Sequence, residues 1–162
     1  MTIAILCIIL IVSAVAFSFI QTTYGTALAF LALCTAGLLP GVTLTVSAYL
    51  FWGLAMIIVV ALNFILPAAV ASSRRGLPYI AGASLAGTFI GLAAGAHGGI
   101  VIGAVAGALL GGVAYGRTPD GRILQFPSPK FINYLCAKGL PAAIAMSMAG
   151  LSTALLMAAW PS

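Results

Sequence analysis

Charged residues are nearly absent from this sequence, which has one acidic side chain, Asp120, and one histidine, His97. Charged residues make up 4% of its 162 residues and hydrophobic residues 64%, and the mean hydropathy is +1.27. A soluble globular domain carries roughly a quarter charged residues, and a disordered chain is polar. The composition therefore excludes both classes and predicts an integral membrane protein.

Residues able to carry catalysis are equally scarce. Asp120 lies in a Pro-Asp-Gly turn and has no partner carboxylate for acid–base catalysis. His97 stands alone among small residues, so we expect a solvent-facing turn position and not a metal ligand. The serines have no histidine or lysine base at a recognisable spacing, and the glycines lack the strand and lysine of a phosphate-binding loop. We expect no enzymatic activity, no cofactor and no metal.

Cysteine occurs three times, at Cys7, Cys34 and Cys136. These residues are too far apart in sequence for a zinc or redox motif. Each lies within or beside an apolar segment, which favours a role as a small packing residue.

Long apolar runs dominate the rest of the chain. They extend over about 18 to 25 residues, which predicts membrane helices and not the short alternating strands of an outer-membrane barrel. The N-terminal part, 1–66, contains runs at 3–20, 26–39 and 42–66, separated by the polar segment QTTYG and the turn LLPG. We predict apolar helices here, of which the 26–39 segment either crosses the membrane or only dips into it.

Glycine is abundant and strongly patterned. In a bilayer, small residues at positions i and i+4 let two helix backbones approach closely, so that dispersion and weak Cα hydrogen bonds hold the helices together. A face of this kind is predicted by seven glycines at a spacing of four, here called the glycine ladder: Gly87, Gly91, Gly95, Gly99, Gly103, Gly107 and Gly111.

The ladder lies in residues 78–116, which are too long for one membrane helix. A single helix of that length would extend about 58 Å, against roughly 30 Å for the hydrocarbon core. A spacing of four also turns the glycine face by about 240° over six steps, so one straight partner helix cannot follow it. We predict a glycine-zipper helical hairpin broken at 97–99, which either crosses the membrane or forms a shallow re-entrant pair.

The basic residues fall in two clusters between apolar runs and give a net charge of +5. The positive-inside rule predicts that both clusters are cytoplasmic, and the hairpin places them on the same side. Anionic headgroups attract such residues. Six basic residues divided between two short loops, without a folded soluble module, are too few for nucleic-acid binding. The predicted cytoplasmic anchors are Arg74, Arg75, Arg117, Arg122, Lys130 and Lys138.

Residues 117–139 link the hairpin to the last apolar run. Pro127 and Pro129 interrupt a continuous helix, and aromatic residues are mixed with basic ones, so we expect an interfacial cytoplasmic loop. Pro141 is well placed to start the final helix, 140–160, with Trp160 at an interface. The prediction is an all-α polytopic transmembrane bundle with about six membrane segments. Its spans contain no charged group for an ion-coupled pump.

Three segments carry a resemblance: LLPG at 38–41, GASLAGTFIGLAAG at 82–95 and GIVIGAVAGALLGG at 99–112. Together with the basic loop before the hairpin, they resemble the bacterial membrane-protein family known as domain of unknown function 456. The resemblance covers roughly residue 38 to the last helix and implies a bacterial inner (cytoplasmic) membrane protein, but no activity. It also implies an acidic residue near the end of the second zipper helix, where this chain has Gly112, Val113 and Ala114.

Two functions are compatible with these features. The first is a non-enzymatic assembly or accessory subunit that acts through glycine packing, with itself or another membrane protein as partner and the lipid bilayer as surroundings. The second is a homo-oligomeric channel or conduit for ions, a small solute or lipid, in which ladder helices of several copies surround a pore. A lipid-active enzyme ranks third, because residues 117–138 supply only one carboxylate.

Overall fold

The computed structural model describes residues 2–65, 75–95, 97–124 and 126–159. Arg74 and Trp160, and the end of the 42–66 run, lie outside these residues. The described part is helical and contains no strand. Its elements are α1 (Thr2–Ile20), α2 (Thr22–Ala36), α3 (Val46–Ile65), α4 (Leu77–Ala93), α5 (His97–Gly116), a 3₁₀ turn (Pro119–Leu124), α6 (Pro129–Tyr134), a π-helical turn (Leu135–Gly139) and α7 (Leu140–Ala159).

The fold is an all-α polytopic transmembrane bundle, as predicted. Four helical runs are long and apolar enough to cross a membrane: Thr2–Ile20, Val46–Ile65, His97–Gly116 and Pro129–Ala159. The other two, α2 and α4, have 15 and 17 residues. At 1.5 Å per residue they extend about 23 and 26 Å, somewhat less than the roughly 30 Å hydrocarbon core. Six segments therefore form the bundle, in agreement with the predicted number.

Helices α1 and α2 form a tight hairpin in which Gln21 alone separates them. A Cβ on Gly25 would lie 2.8 Å from the backbone nitrogen of Ser18, so only glycine allows the two helices to approach this closely. The polar segment QTTYG was expected to interrupt the helices, but α2 begins at Thr22. The helix tolerates Thr26 because its hydroxyl donates to the Thr22 carbonyl at 2.8 Å.

Helix α7 is the centre of the bundle and packs against α1, α2, α4 and α5. Ten of its residues are buried, mostly alanine, methionine, serine and glycine. Small residues let several helices approach one axis at once. The hydroxyls of Ser147 and Ser152 each donate to the carbonyl four residues earlier, at 2.7 Å, so their burial leaves no hydroxyl unsatisfied.

Helix α3 lies at the periphery. Only Trp52 and Val59 are buried in its 20 residues. Trp52 belongs to a cluster with Leu33 of α2 and Met148 of α7, which attaches α3 along one edge. The rest of its apolar surface faces outward, as expected of a helix in contact with lipid.

Residues 117–139 differ from the predicted loop. After the 3₁₀ turn, a helix starts at Pro129 and continues through the π-helical turn into α7. Pro129 is compatible with a helix start because the first helical residue needs no N–H partner. Ser128 caps this end, since its Oγ accepts from the backbone N–H of Phe131 at 3.1 Å.

Pro141 consequently lies inside a helical run and does not start one. The π-helical turn accommodates it: the N–H of Leu140 bonds to the Leu135 carbonyl, five residues back, which changes the hydrogen-bond register just before the proline. The Pro141 carbonyl in turn accepts a hydrogen bond from Thr26 Oγ1 of α2 at 3.2 Å. A neighbouring hydroxyl thus supports the backbone near the proline, as is common in membrane helices.

Candidate functional site

The glycine ladder lies where α4 and α5 meet, and this is the most extensive helix pair in the chain. A Cβ on Gly87 would lie 2.7 Å from the carbonyl carbon of Gly103, and one on Gly91 would lie 2.6 Å from the nitrogen of Ile100. No real Cβ tolerates such distances from a backbone atom. At these positions the two helices are in backbone contact.

The contact continues toward the other end of the hairpin. A Cβ on Gly107 would lie 2.7 Å from the carbonyl carbon of Ala83, and one on Gly111 would lie 2.8 Å from Ile80 Cα. Between the Gly87–Gly103 and Gly107–Ala83 contacts, the buried Ser84 hydroxyl donates across the interface to the Ala104 carbonyl at 2.9 Å. Glycine contact and an interhelical hydrogen bond therefore stabilise the same pair.

Gly95 differs from the other ladder residues. It follows the end of α4 with a φ of +71°, and a Cβ there would meet nothing within 4 Å. Its glycine is explained by the left-handed turn and not by helix packing. The break of the hairpin accordingly falls at 94–95, before the predicted 97–99, and His97 is the exposed first residue of α5. Gly99 lies inside α5 opposite Gly91.

A third helix docks on the glycine hairpin through a residue outside the ladder. A Cβ on Gly150 of α7 would lie 2.5 Å from Thr88 Cγ2 of α4 and 2.7 Å from Ile100 Cγ2 of α5. Gly150 therefore accepts both methyl groups at the joint between the hairpin helices. No sequence pattern predicts this contact, because a single glycine in an alanine-rich helix does not indicate which helix it packs against.

Three tyrosine rings pack together where α4 begins and α5 ends. The rings of Tyr79 and Tyr115, and those of Tyr115 and Tyr134, have centroids 5.7 Å apart. Tyr134 also donates its hydroxyl to the Arg75 carbonyl at 2.7 Å. Gly76, with a φ of +76°, leaves room for these rings, because a Cβ there would lie 2.5 Å from Tyr115 Cδ1. The cluster joins three segments that are distant in sequence.

The described basic residues gather at this same end of the bundle. Arg75 precedes α4, Arg117 follows α5, and Arg122 lies in the next turn. All three are exposed, as is Lys130 on α6. The basic residues were predicted to lie on the same side of the membrane, and the described ones do lie at one end of the helical hairpin. Their cytoplasmic orientation stays a prediction.

Lys138 is the exception among the predicted anchors. It lies in the π-helical turn and is 4% exposed. The sequence predicts a loop side chain at the membrane surface and spans without a charged group. Because the helix continues from Pro129 to Ala159, Lys138 instead falls within a candidate span and is enclosed by the bundle. A buried lysine in such a position is a costly feature of membrane helices.

The single histidine and the single acidic residue are far apart. His97 is the first residue of α5, and Asp120 lies in the 3₁₀ turn after the end of this helix, where it is exposed. The 20-residue helix between them extends about 30 Å. Cys7, Cys34 and Cys136 are free thiols, and no group of three or more metal-ligating side chains occurs among the described residues.

The fold and composition define a polytopic helical membrane protein. Comparisons with known proteins find no matching family model, no matching curated protein and no matching solved structure. The resemblance to the family known as domain of unknown function 456 stays a prediction.

Proposed function

We propose that this chain is a non-enzymatic assembly or accessory subunit of the bacterial inner membrane that acts through helix packing. The observation that carries the proposal is the internal use of the ladder, in which Gly87 and Gly91 of α4 face Gly103 and Gly99 of α5. Backbone contact over several turns supports a rigid core for the chain. A partner, either a second copy or another membrane protein, then binds the outer surface of that core.

Helix α3 is the surface that suits such a partner best. It is attached along one edge, while Leu50, Leu54 and Ile57 are 68%, 58% and 59% exposed. Helices in lipid associate by close packing and not by a hydrophobic drive between them. The helix with the least contact inside the chain therefore has the most contact area left for a neighbour.

The distribution of ionisable groups also supports a role without catalysis. The sequence has one acidic residue and one histidine. Helix α5 separates them by about 30 Å, whereas acid–base partners must lie within hydrogen-bond reach of the same reacting group.

The test is the native mass of the protein, with identification of every co-purifying chain, after gentle extraction from its own membrane. We expect a foreign chain to co-purify in a fixed ratio. Leu54→Trp, on the outer face of α3, should abolish this association. Leu110→Trp, at an exposed position of α5, should leave it intact. Equal helical content in both variants, measured by circular dichroism, separates lost assembly from misfolding. A protein that is monomeric in gently extracted membranes contradicts the proposal.

The homo-oligomeric channel receives less support from this geometry. Its pore requires ladder faces that are free to meet other copies, but Gly91 and Gly103 are occupied within one chain. Recovery of self-copies alone would nevertheless favour the channel over an accessory subunit. Ion or solute flux through purified protein in liposomes then decides between them, because sealed vesicles exclude a pore.

A further inference from the structure

The structure contains an apolar groove between α5 and the π-helical turn. It is lined by Val105, Ala108 and Leu109 on α5 and by Leu135, Cys136 and Leu140 opposite, and its volume is about 190 Å³. Gly139 forms part of the floor, where a Cβ would lie 2.6 Å from Leu135 Cδ1. The walls carry no charged side chain. This groove suits a hydrocarbon chain.

A second, basic pocket lies one helical turn further along the same face of α5. Val113 and Gly116 of α5 line it together with Arg117, Arg122 and Phe126, and its volume is about 360 Å³. Leu109 and Val113 are four residues apart and therefore neighbours on the helix surface, about 6 Å along its axis. The apolar groove thus leads toward two arginines.

The aromatic residues near this junction fix its other wall. Phe126 is 68% exposed, and its ring meets that of Phe131 edge to face with centroids 5.5 Å apart. Phe131 is buried against Gly112 of α5, since a Cβ on that glycine would lie 3.5 Å from Phe131 Cζ. An exposed aromatic ring beside basic groups is characteristic of the level of the lipid headgroups.

We propose that the apolar groove and the basic pocket together bind one anionic phospholipid molecule. The exposed guanidinium groups of Arg117 and Arg122 hold its phosphate, since arginine forms paired, charge-assisted hydrogen bonds with phosphate oxygens. An acyl chain lies along Leu109 toward Val105, which is about 18 Å from Arg117 along the helix. Basic pockets between membrane helices bind anionic headgroups in this way.

The charge balance at the pocket sets the headgroup class. Asp120 lies between the two arginines in sequence and is exposed. Its carboxylate does not line the pocket but is close in sequence to both arginines, so its charge weakens phosphate binding and its removal strengthens it. Two arginines and no acidic side chain line the pocket, so the expected ligand carries a net negative charge and is not a zwitterionic lipid.

The experiment measures retention of phosphatidylglycerol and phosphatidylcholine by the detergent-purified full chain, using native mass spectrometry. We expect phosphatidylglycerol to be preferred about tenfold or more, and each of Arg117→Gln and Arg122→Gln to lower its affinity about tenfold. Lys130→Gln, an exposed charge at the same end that lines neither cavity, is the matched control and should change affinity less than about twofold. Asp120→Asn should raise it.

A second pair of variants tests the acyl-chain groove. Leu109→Trp fills the groove and should abolish retention, while Leu110→Trp, on the neighbouring outward face, should not. Equal retention of the two lipids, or equal losses for Lys130→Gln and Arg117→Gln, would overturn the proposal. So would equal binding of the water-soluble headgroup glycerophosphoglycerol, because it would show an anion site that needs no acyl chain. Helical content measured for every variant excludes misfolding as the cause of a loss.

Discussion

Gly87 and Gly103 exclude a side chain from each other's position. A Cβ on Gly87 would lie 2.7 Å from the carbonyl carbon of Gly103, and a Cβ on Gly103 would lie 2.8 Å from that of Gly87. The contact is reciprocal, so neither helix can accept even alanine without moving its partner. Backbone contact of this kind maximises dispersion between membrane helices.

Replacement of Gly87 by alanine should destabilise the hairpin by roughly 1–3 kcal/mol, because the added methyl group meets backbone and not a movable side chain. The matched control is Gly82→Ala in the same helix, where a Cβ meets nothing within 4 Å. It should be neutral or stabilising by up to about 1 kcal/mol, since alanine favours helix more than glycine. Thermal unfolding in detergent, followed by circular dichroism, measures both. Equal losses in the two variants would refute the contact.

Position 95 has room for a side chain, but it requires a residue that adopts a positive φ. Its Cβ position is open, yet its φ of +71° costs an ordinary residue about 1–2 kcal/mol. We expect Gly95→Ala to lower stability by about 1 kcal/mol, and Gly95→Asn to lower it less because asparagine adopts the left-handed conformation more readily. The same unfolding assay ranks the two. If Gly95→Asn lowers the stability as much as Gly95→Ala does, the explanation by backbone conformation is wrong.

Thr26 should contribute to the attachment of α2 to α7. Its hydroxyl lies 2.8 Å from the Thr22 carbonyl and 3.2 Å from that of Pro141. Thr26→Val removes the interhelical contact at nearly constant volume and should cost about 0.5–1.5 kcal/mol. Thr153→Val is the control, because its hydroxyl bonds within its own helix to Ala149. If the two variants lose equal stability, the bond to Pro141 contributes nothing measurable.

Lys138 and Lys130 should differ in chemical accessibility. Lys138 is 4% exposed within the bundle, while Lys130 is exposed on α6. A water-soluble amine-acylating reagent should therefore modify Lys130 much faster, as read by peptide mass spectrometry of the protein in liposomes permeable to the reagent. In unfolded protein the two rates should become similar. Rapid labelling of Lys138 in the folded protein would place it at the surface, as the sequence suggested.

The sequence indicated most of the architecture through local rules. Apolar run length predicted the membrane helices, and the excessive length of residues 78–116 required a break. The break itself was misplaced by a few residues because His97 and Gly99 are as plausible in a turn as Gly95. Only the positive φ at Gly95 distinguishes them.

Proline was the main source of error in residues 117–139. Pro129 is expected to interrupt a helix, but α6 starts there. Pro141 is expected to start the last helix, and α7 begins one residue earlier, at Leu140, without a break from the π-helical turn. A π-helical turn changes the hydrogen-bond register before Pro141, and Thr26 of α2 donates to the Pro141 carbonyl. Neither feature has a local signal in the sequence, and Lys138 is buried in the continuous helix.

Composition and periodicity alone determined that this chain is a helical membrane protein with a glycine-rich hairpin, since 64% hydrophobic residues and glycines spaced by four act through local chain properties. Only the tertiary structure decided which glycines face each other within one chain, that α7 lies at the centre, and that Arg117 and Arg122 line one pocket. Those outcomes depend on which helix faces meet, and small residues permit close approach without specifying the partner.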